Sequence, residues 1–217
     1  MDYEESTNNK VTLMGKIVDE PRFSHEVYGE GFYEFTLCVP RLSGQTDLLP
    51  ITVSERLMSG FDMSIGREIV VQGQFRSYNK LDETKSKLML TVFARSLDEA
   101  QADINPNTIE LCGYICKKPM YRTTPFKREI SDLLIAVNRA YNKSDYIPCI
   151  AWGRNARYVN TLPVGSRIRI FGRIQSRTYQ KVNEENIVET RTAYEVSVSG
   201  IKNDFSNDDE ILIKKIS

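Results

Sequence analysis

The sequence predicts an all-β fold with one short helix in each of two repeated domains. Three observations predict it. Short runs of alternating or apolar residues recur between Gly/Pro-punctuated polar stretches, as strands do. In each half one run breaks that alternation just before a glycine, RLMSGFDMSIG and RNARYVNTLPVG, and suits a turn or two of helix. Finally, the first half is repeated in the second. NKVTLMGKIVDEP (9–21) resembles NTIELCGYICKKP (107–119) at an offset of 98, and TDLLPITVSER (46–56) resembles SDYIPCIAWGR (144–154) at the same offset. SIGREIVVQGQ (64–74) matches PVGSRIRIFGR (163–173) at 99. A repeat kept in order over three segments reads as two homologous domains.

The elements follow in order. VTLMGKIV and IELCGYIC open the two halves as strands, followed by YEFTLCVPR and DLLIAVNRAY, then LLPITVSER and YIPCIAWGR. The helical run comes next. REIVVQGQFRSY and SRIRIFGRIQSRTYQK follow as strands, and KLMLTVFARSL and RTAYEVSVSGI close each half. Five or six strands, with a helix between the third and fourth, suit the OB-fold, a small partly open barrel. The fold class is therefore a tandem of five-stranded OB barrels. The domain boundaries are 1–103, 104–203 and an acidic, apolar tail at 204–217. SLDEAQADINPN (96–107), polar and holding Pro106, reads as the joint.

Composition narrows the function. The chain has 217 residues, 41% of them hydrophobic, and no apolar run near the ~18 residues a membrane span needs. The first residues, MDYEESTNNK, lack the basic and apolar regions of a signal peptide, so a cytoplasmic protein is expected. Cys38, Cys112, Cys116 and Cys149 read as reduced core cysteines. His25 is the single histidine, too little for a zinc site with those cysteines. No nucleophile–histidine–acid set, Walker loop or carboxylate run at metal spacing is present. The expectation is no enzyme, no cofactor and no metal.

The net charge of zero conceals a division. Residues 1–106 hold 11 Lys/Arg against 17 Asp/Glu, and residues 107–202 hold 16 against 8. A basic second half suits a polyanion.

Strand alternation sharpens this. In SDYIPCIAWGRNARY (144–158), Ile147, Cys149 and Ala151 share one face and suit a core, while Tyr146, Pro148, Ile150 and Trp152 share the other. Arg154 and Arg157 follow at once. In the next strand Ile168, Ile170, Gly172 and Ile174 are core-like, and Arg167, Arg169, Phe171, Arg173, Gln175, Arg177 and Tyr179 alternate with them. An outer face of arginines and aromatics is what a sequence-tolerant single-strand binder needs, because every base has a π-face and every nucleotide a phosphate.

These residues resemble the bacterial single-stranded DNA-binding proteins. The resemblance rests on Asn107 to Gly113 with Pro119 beyond, on IAVNRAY ending at Tyr141, on the aromatic-led strand YIPCIAWGR, and on GSRIRIFGRIQSRTY from Gly165 to Tyr179. It implies that Tyr141, Tyr146, Trp152 and Tyr179 stack bases; the strand faces themselves put Arg154, Arg167, Arg169, Arg173 and Arg177 beside the phosphates. The resemblance also implies a working unit of four OB domains, hence a homodimer, serving DNA replication, recombination or repair alongside other replication or repair proteins. NDFSNDDEILIKKIS departs from that family's usual acidic ending. Stacking does not read the 2′-hydroxyl, so RNA stays open as a ligand.

The first half is a control. Tyr141 falls near Leu42 or Ser43, Tyr146 on Leu48, Trp152 on Ser54, Arg167 on Glu68, Arg169 on Val70 and Arg173 on Gln74. The first domain is thus expected to be degenerate or structural. Its SHEVYGEGFYEF (24–35), with Gly29 and Gly31 turning a hairpin, packs on its own barrel or meets a protein. The alternative for the whole chain is an OB protein-interaction scaffold in a replication or mobile-element complex with weak nucleic-acid binding.

Overall fold

The first strand of each repeat closes a ring. In the first repeat, β1 (Asn9–Ile17) pairs antiparallel with β5 (Glu68–Asp82) along its length and passes at Lys16 and Ile17 to β3 (Glu30–Pro40). β3 pairs with β4 (Thr46–Ser54), β4 runs parallel to β6 (Lys85–Glu99), and β6 returns to β5. In the second repeat β7 (Asn107–Ile115), β9 (Glu129–Asn138), β10 (Ser144–Trp152), β12 (Val188–Asn203) and β11 (Arg167–Val182) neighbour one another in the same cyclic order. These are OB barrels. The computed structural model describes residues 8–82, 85–100, 102, 105–182 and 188–203. The tail at 204–217 and part of the expected joint lie outside the described residues.

Among the described residues the strand count is six per repeat, because a short edge strand precedes the second long one: β2 (Arg22–Val27) lies beside β3, and β8 (Met120–Thr123) beside β9. Both are exposed throughout. The helices stand where the sequence places them, α1 (Glu55–Met58) after β4 and α2 (Arg154–Thr161) after β10.

The repeated motif N-x-[VI]-x-L-x-G has a physical meaning at each end. Asn107 is buried, and its amide both donates to the Ile174 carbonyl at 2.7 Å and accepts from the Ile174 N–H at 2.9 Å. The side chain thereby satisfies both backbone polar groups of Ile174 inside the barrel. Asn9, its counterpart, is equally buried. At the other end β1 and β7 change partners, and the backbones come close. A Cβ on Gly15 would run into the Cys38 carbonyl oxygen, and one on Gly113 into that of Ala136. Only glycine permits that approach.

The core is apolar and drawn from alternate strand positions: Leu13, Ile17, Leu37, Ile51, Val71 and Phe75 in the first repeat, and Leu111, Ile135, Ile147, Ile168, Ile170 and Ile174 in the second. Cys112 and Cys149 are buried, whereas Cys38 and Cys116 are only half-buried and so stand at the rim of the expected core. Burial raises the Cys116 thiol above its ordinary pKa, which keeps it protonated. Among the described residues no helix is long and apolar enough to cross a membrane.

Two compact units divide the chain, and they are not contiguous halves. One holds Lys10–Ile109 with Arg173–Val196. The other holds residues 8–9, 110–172 and 197–203. The far parts of β11 and β12 therefore belong to the unit of the first barrel.

Candidate nucleic-acid interface

The unit built on residues 110–172 carries the β10 face. Tyr146 and Trp152 are exposed at 46% and 38%, while Ile147, Cys149 and Ala151 are buried on the opposite side, as alternation requires. The outer face is not uniform. Pro148 is half-buried and Ile150 is 6% exposed, so the two rings stand apart, six residues or about 20 Å along the strand. Across the ladder they face Ala136 and Ile130 of β9.

Tyr141 sits on the turn between these strands, 83% exposed, with φ of +60°, followed by Asn142 at +54°. Two consecutive left-handed residues suit a tight hairpin turn, but a bulky side chain there carries strain. The turn is closed by Arg139, whose amide donates to the Lys143 carbonyl and whose guanidinium pairs with the buried Asp145 at 3.3 Å.

Arg154 and Arg157 lie exposed on α2, and Arg157 pairs with Glu129 at 3.2 Å. On β11, Arg167 is exposed, and half-buried Arg169 is ion-paired with Glu110. Lys202 lies 5.4 Å from the Phe171 ring centroid, a cation–π contact.

The remaining expected residues belong to the other unit. Tyr179 is 37% exposed, with the Arg177 guanidinium 5.7 Å from its ring centroid and 3.9 Å from Glu195. Gln175 is buried and donates to Glu195 at 2.7 Å, so it serves packing rather than a ligand. Arg173 is half-buried and reaches Asp47 at 3.4 Å. Burial and the like charge of Arg41 press its guanidinium below the ordinary arginine value, against the pull of Asp47. An anion beside Arg173 would relieve that cost. Of the expected arginine face, Arg167 and Arg177 are exposed, Arg169 and Arg173 are half-buried and Gln175 is buried, and Arg169, Arg173 and Arg177 each already face a carboxylate.

The same unit shows Arg76, Phe93 and Arg95, which the sequence reasoning did not raise, beside Phe32 and His25 of the 24–35 segment. On the β3–β6–β5 face of the first barrel the Phe93 ring is covered by the Arg76 guanidinium at 4.0 Å, with Arg95 at 5.8 Å. Phe32 tilts toward Phe93 at 5.6 Å, and the His25 imidazole stacks on Phe32 at 5.1 Å and 12°. The pairing of Arg76 with Phe93 was not legible because it needs the β5–β6 register, in which Gln72 and Gly73 mark a shift. Within the 24–35 hairpin, Phe35 is core, and Tyr33 meets Phe23 edge-on at 5.7 Å. The turn itself is Tyr28–Gly29, both at positive φ, and Gly31 is buried in β3 rather than turning the hairpin.

Comparison with known proteins bears on the family and the fold. The Single-strand binding protein family pattern matches residues 106–203. The chain is 37% identical over 81 residues to single-stranded DNA-binding protein 1 of Staphylococcus aureus (strain COL), covering 34% of this chain and 48% of that one. It is 31% identical over 96 residues to single-stranded DNA-binding protein A of Bacillus subtilis (strain 168), covering 41% and 56%. The chain thus spans about half the length of the curated relatives it matches. The wild-type single-stranded DNA binding protein from Thermus aquaticus superimposes with a TM-score of 0.73 at 19% identity, covering 92% of this chain and 94% of that one. The second repeat, residues 106–203, thus matches the Single-strand binding protein family, and the two barrels of the chain share the fold of the Thermus aquaticus protein.

Proposed function

We propose that this protein binds single-stranded DNA without strong sequence preference, as a non-enzymatic coat in replication, recombination or repair. The observation that carries the reading is the β10 strand, which holds Ile147, Cys149 and Ala151 in the core while leaving Tyr146 and Trp152 open to solvent. Large aromatics kept half-exposed on a rigid strand suit bases, each stack being worth roughly 1–3 kcal/mol whatever the sequence. Tyr141 and Tyr179 add further rings. Arg154, Arg167, Arg169, Arg173 and Arg177 supply the cationic border, with those already facing carboxylates exchanging partners when phosphate arrives. A homodimer with four OB domains, a cytosolic location and contacts with replication or repair proteins rest on the family resemblance alone.

The test is the fluorescence of Trp152, the chain's single tryptophan, during titration with oligo-dT at two salt concentrations. Saturable quenching that weakens with salt, by a log–log slope of about −0.7 per phosphate neutralised, is expected. No quenching together with no binding in an independent assay would overturn the proposal.

A further inference from the structure

The first repeat lacks Tyr146 and Trp152, having Leu48 and Ser54 in their places. The strand register shows where the aromatic went. Trp152 stands directly across the β10–β9 ladder from Ile130. In the first repeat the same cross-strand row is Ser54 opposite Phe32. Each row holds one large ring, but on neighbouring strands. Where the ring is on β10, its partner Ile130 is buried; where the ring is on β3, its partner Ser54 is buried and its hydroxyl caps α1 by accepting from the Leu57 N–H. Directly opposite residues point to the same side of a sheet, so the exchange keeps an aromatic near the same place on the barrel face.

Phe32 has company that a purely structural face does not require. Thr52 of β4 pairs with Phe93 of β6, and Gln74 of β5 pairs with Phe93 from the other side. His25, Phe32, Phe93 and Arg76 then form a continuous run of contacts, stacked from His25 to Phe32, tilted by 37° from Phe32 to Phe93 and covered by Arg76 at the far ring, with half-buried phenyl rings and exposed Arg95 at its border. The exposed imidazole, a flat nitrogen heterocycle lying nearly parallel to Phe32, shows what that ring face accepts.

We infer that the first domain carries a second, differently built single-strand subsite in which Phe32 and Phe93 hold nucleobases and Arg76 and Arg95 contact phosphate. The occupant is single-stranded nucleic acid rather than a protein, because guanidinium groups lie over and beside the rings, an arrangement complementary to bases joined by phosphates. This inference rests on the proposed single-strand binding and extends it to a domain that the replaced Tyr and Trp positions alone describe as structural.

The experiment uses the full chain with a long oligo-dT carrying 5-iododeoxyuridine, irradiated and mapped by mass spectrometry. Crosslinks at Phe32, Phe93 or His25 support the subsite. Crosslinks confined to the second repeat overturn it and leave the proposed function standing, whereas absence of binding in a separate anisotropy titration overturns both. A Phe32→Leu, Phe93→Leu variant, which keeps apolar volume, is expected to bind long oligo-dT about tenfold or more weakly. Unchanged affinity in the folded variant overturns the subsite; should the variant fail to fold, the crosslink map of the parent decides.

Discussion

Arg41 holds both oxygens of Asp47, Nε to Oδ2 at 2.6 Å and Nη2 to Oδ1 at 2.5 Å, and the carboxylate has no exposed surface. The Ser176 N–H donates to the same Asp47 Oδ1 at 2.7 Å, and Arg173 approaches Oδ2 at 3.4 Å. The second repeat has the same pairing at an offset of 98, Arg139 with buried Asp145. A buried carboxylate costs several kcal/mol to desolvate and is tolerated only when its hydrogen bonds are met. Asp47 links the turn after β3 to the far part of β11 within one compact unit. Its hydrogen bonds, with its charge, also raise the Arg41 pKa against the opposing effect of burial, so the guanidinium stays ionised.

Arg41→Ala should therefore destabilise the chain by about 3–5 kcal/mol, since it leaves a buried charge without its principal partner. Urea denaturation of parent and variant measures this. A loss below about 1 kcal/mol would show that Ser176 and Arg173 suffice.

Tyr146→Ala should weaken oligo-dT binding by roughly 1–3 kcal/mol while leaving the fold intact, because the ring is half-exposed and its removal opens no core cavity. The salt slope should stay unchanged, since no cation is removed. Anisotropy titrations at several salt concentrations separate the two effects. A variant carrying both Tyr146→Ala and Tyr179→Ala that folds and binds as tightly as the parent would refute the stacking assignment.

Gly113→Ala should cost about 1–3 kcal/mol or more. The added methyl meets the Ala136 carbonyl oxygen and lies 2.8 Å from the Ile135 side chain, and backbone cannot rotate away. Thermal unfolding followed by circular dichroism should show a clear drop in Tm.

Tyr78 supplies a prediction in pH. Burial first, then the negative charge of Glu34, raises its hydroxyl above the ordinary 10.0. The folded state thus holds this proton more tightly than the unfolded chain does. The resulting stabilisation is full below pH 10 and is lost as pH rises through the folded value. Tyr78→Phe should reduce the alkaline loss of stability, read from denaturation midpoints on either side of pH 10.

Much of this protein was legible in its sequence. The repeat at offsets of 98 and 99 established two copies of one scaffold, and period-two alternation assigned Ile147, Ile168, Ile170 and Ile174 to the core. Both depend on local geometry: a strand alternates whatever it packs against. The helices after β4 and β10 were visible for the same reason. What alternation cannot give is the neighbour. It placed Arg169, Arg173 and Arg177 on an outward face, but Glu110, Asp47 and Glu195, which face them, come from other strands. It also offered Ile150 as part of an open face, whereas packing buries it between Tyr146 and Trp152. The exchange of Trp152 opposite Ile130 for Ser54 opposite Phe32 was hidden in the same way. Aligning one repeat with the other compares each position with its own copy, and the loss of an aromatic then looks complete. Only the inter-strand register, set by hydrogen bonds between residues distant in sequence, decided that Phe32 stands in the row where Trp152 stands.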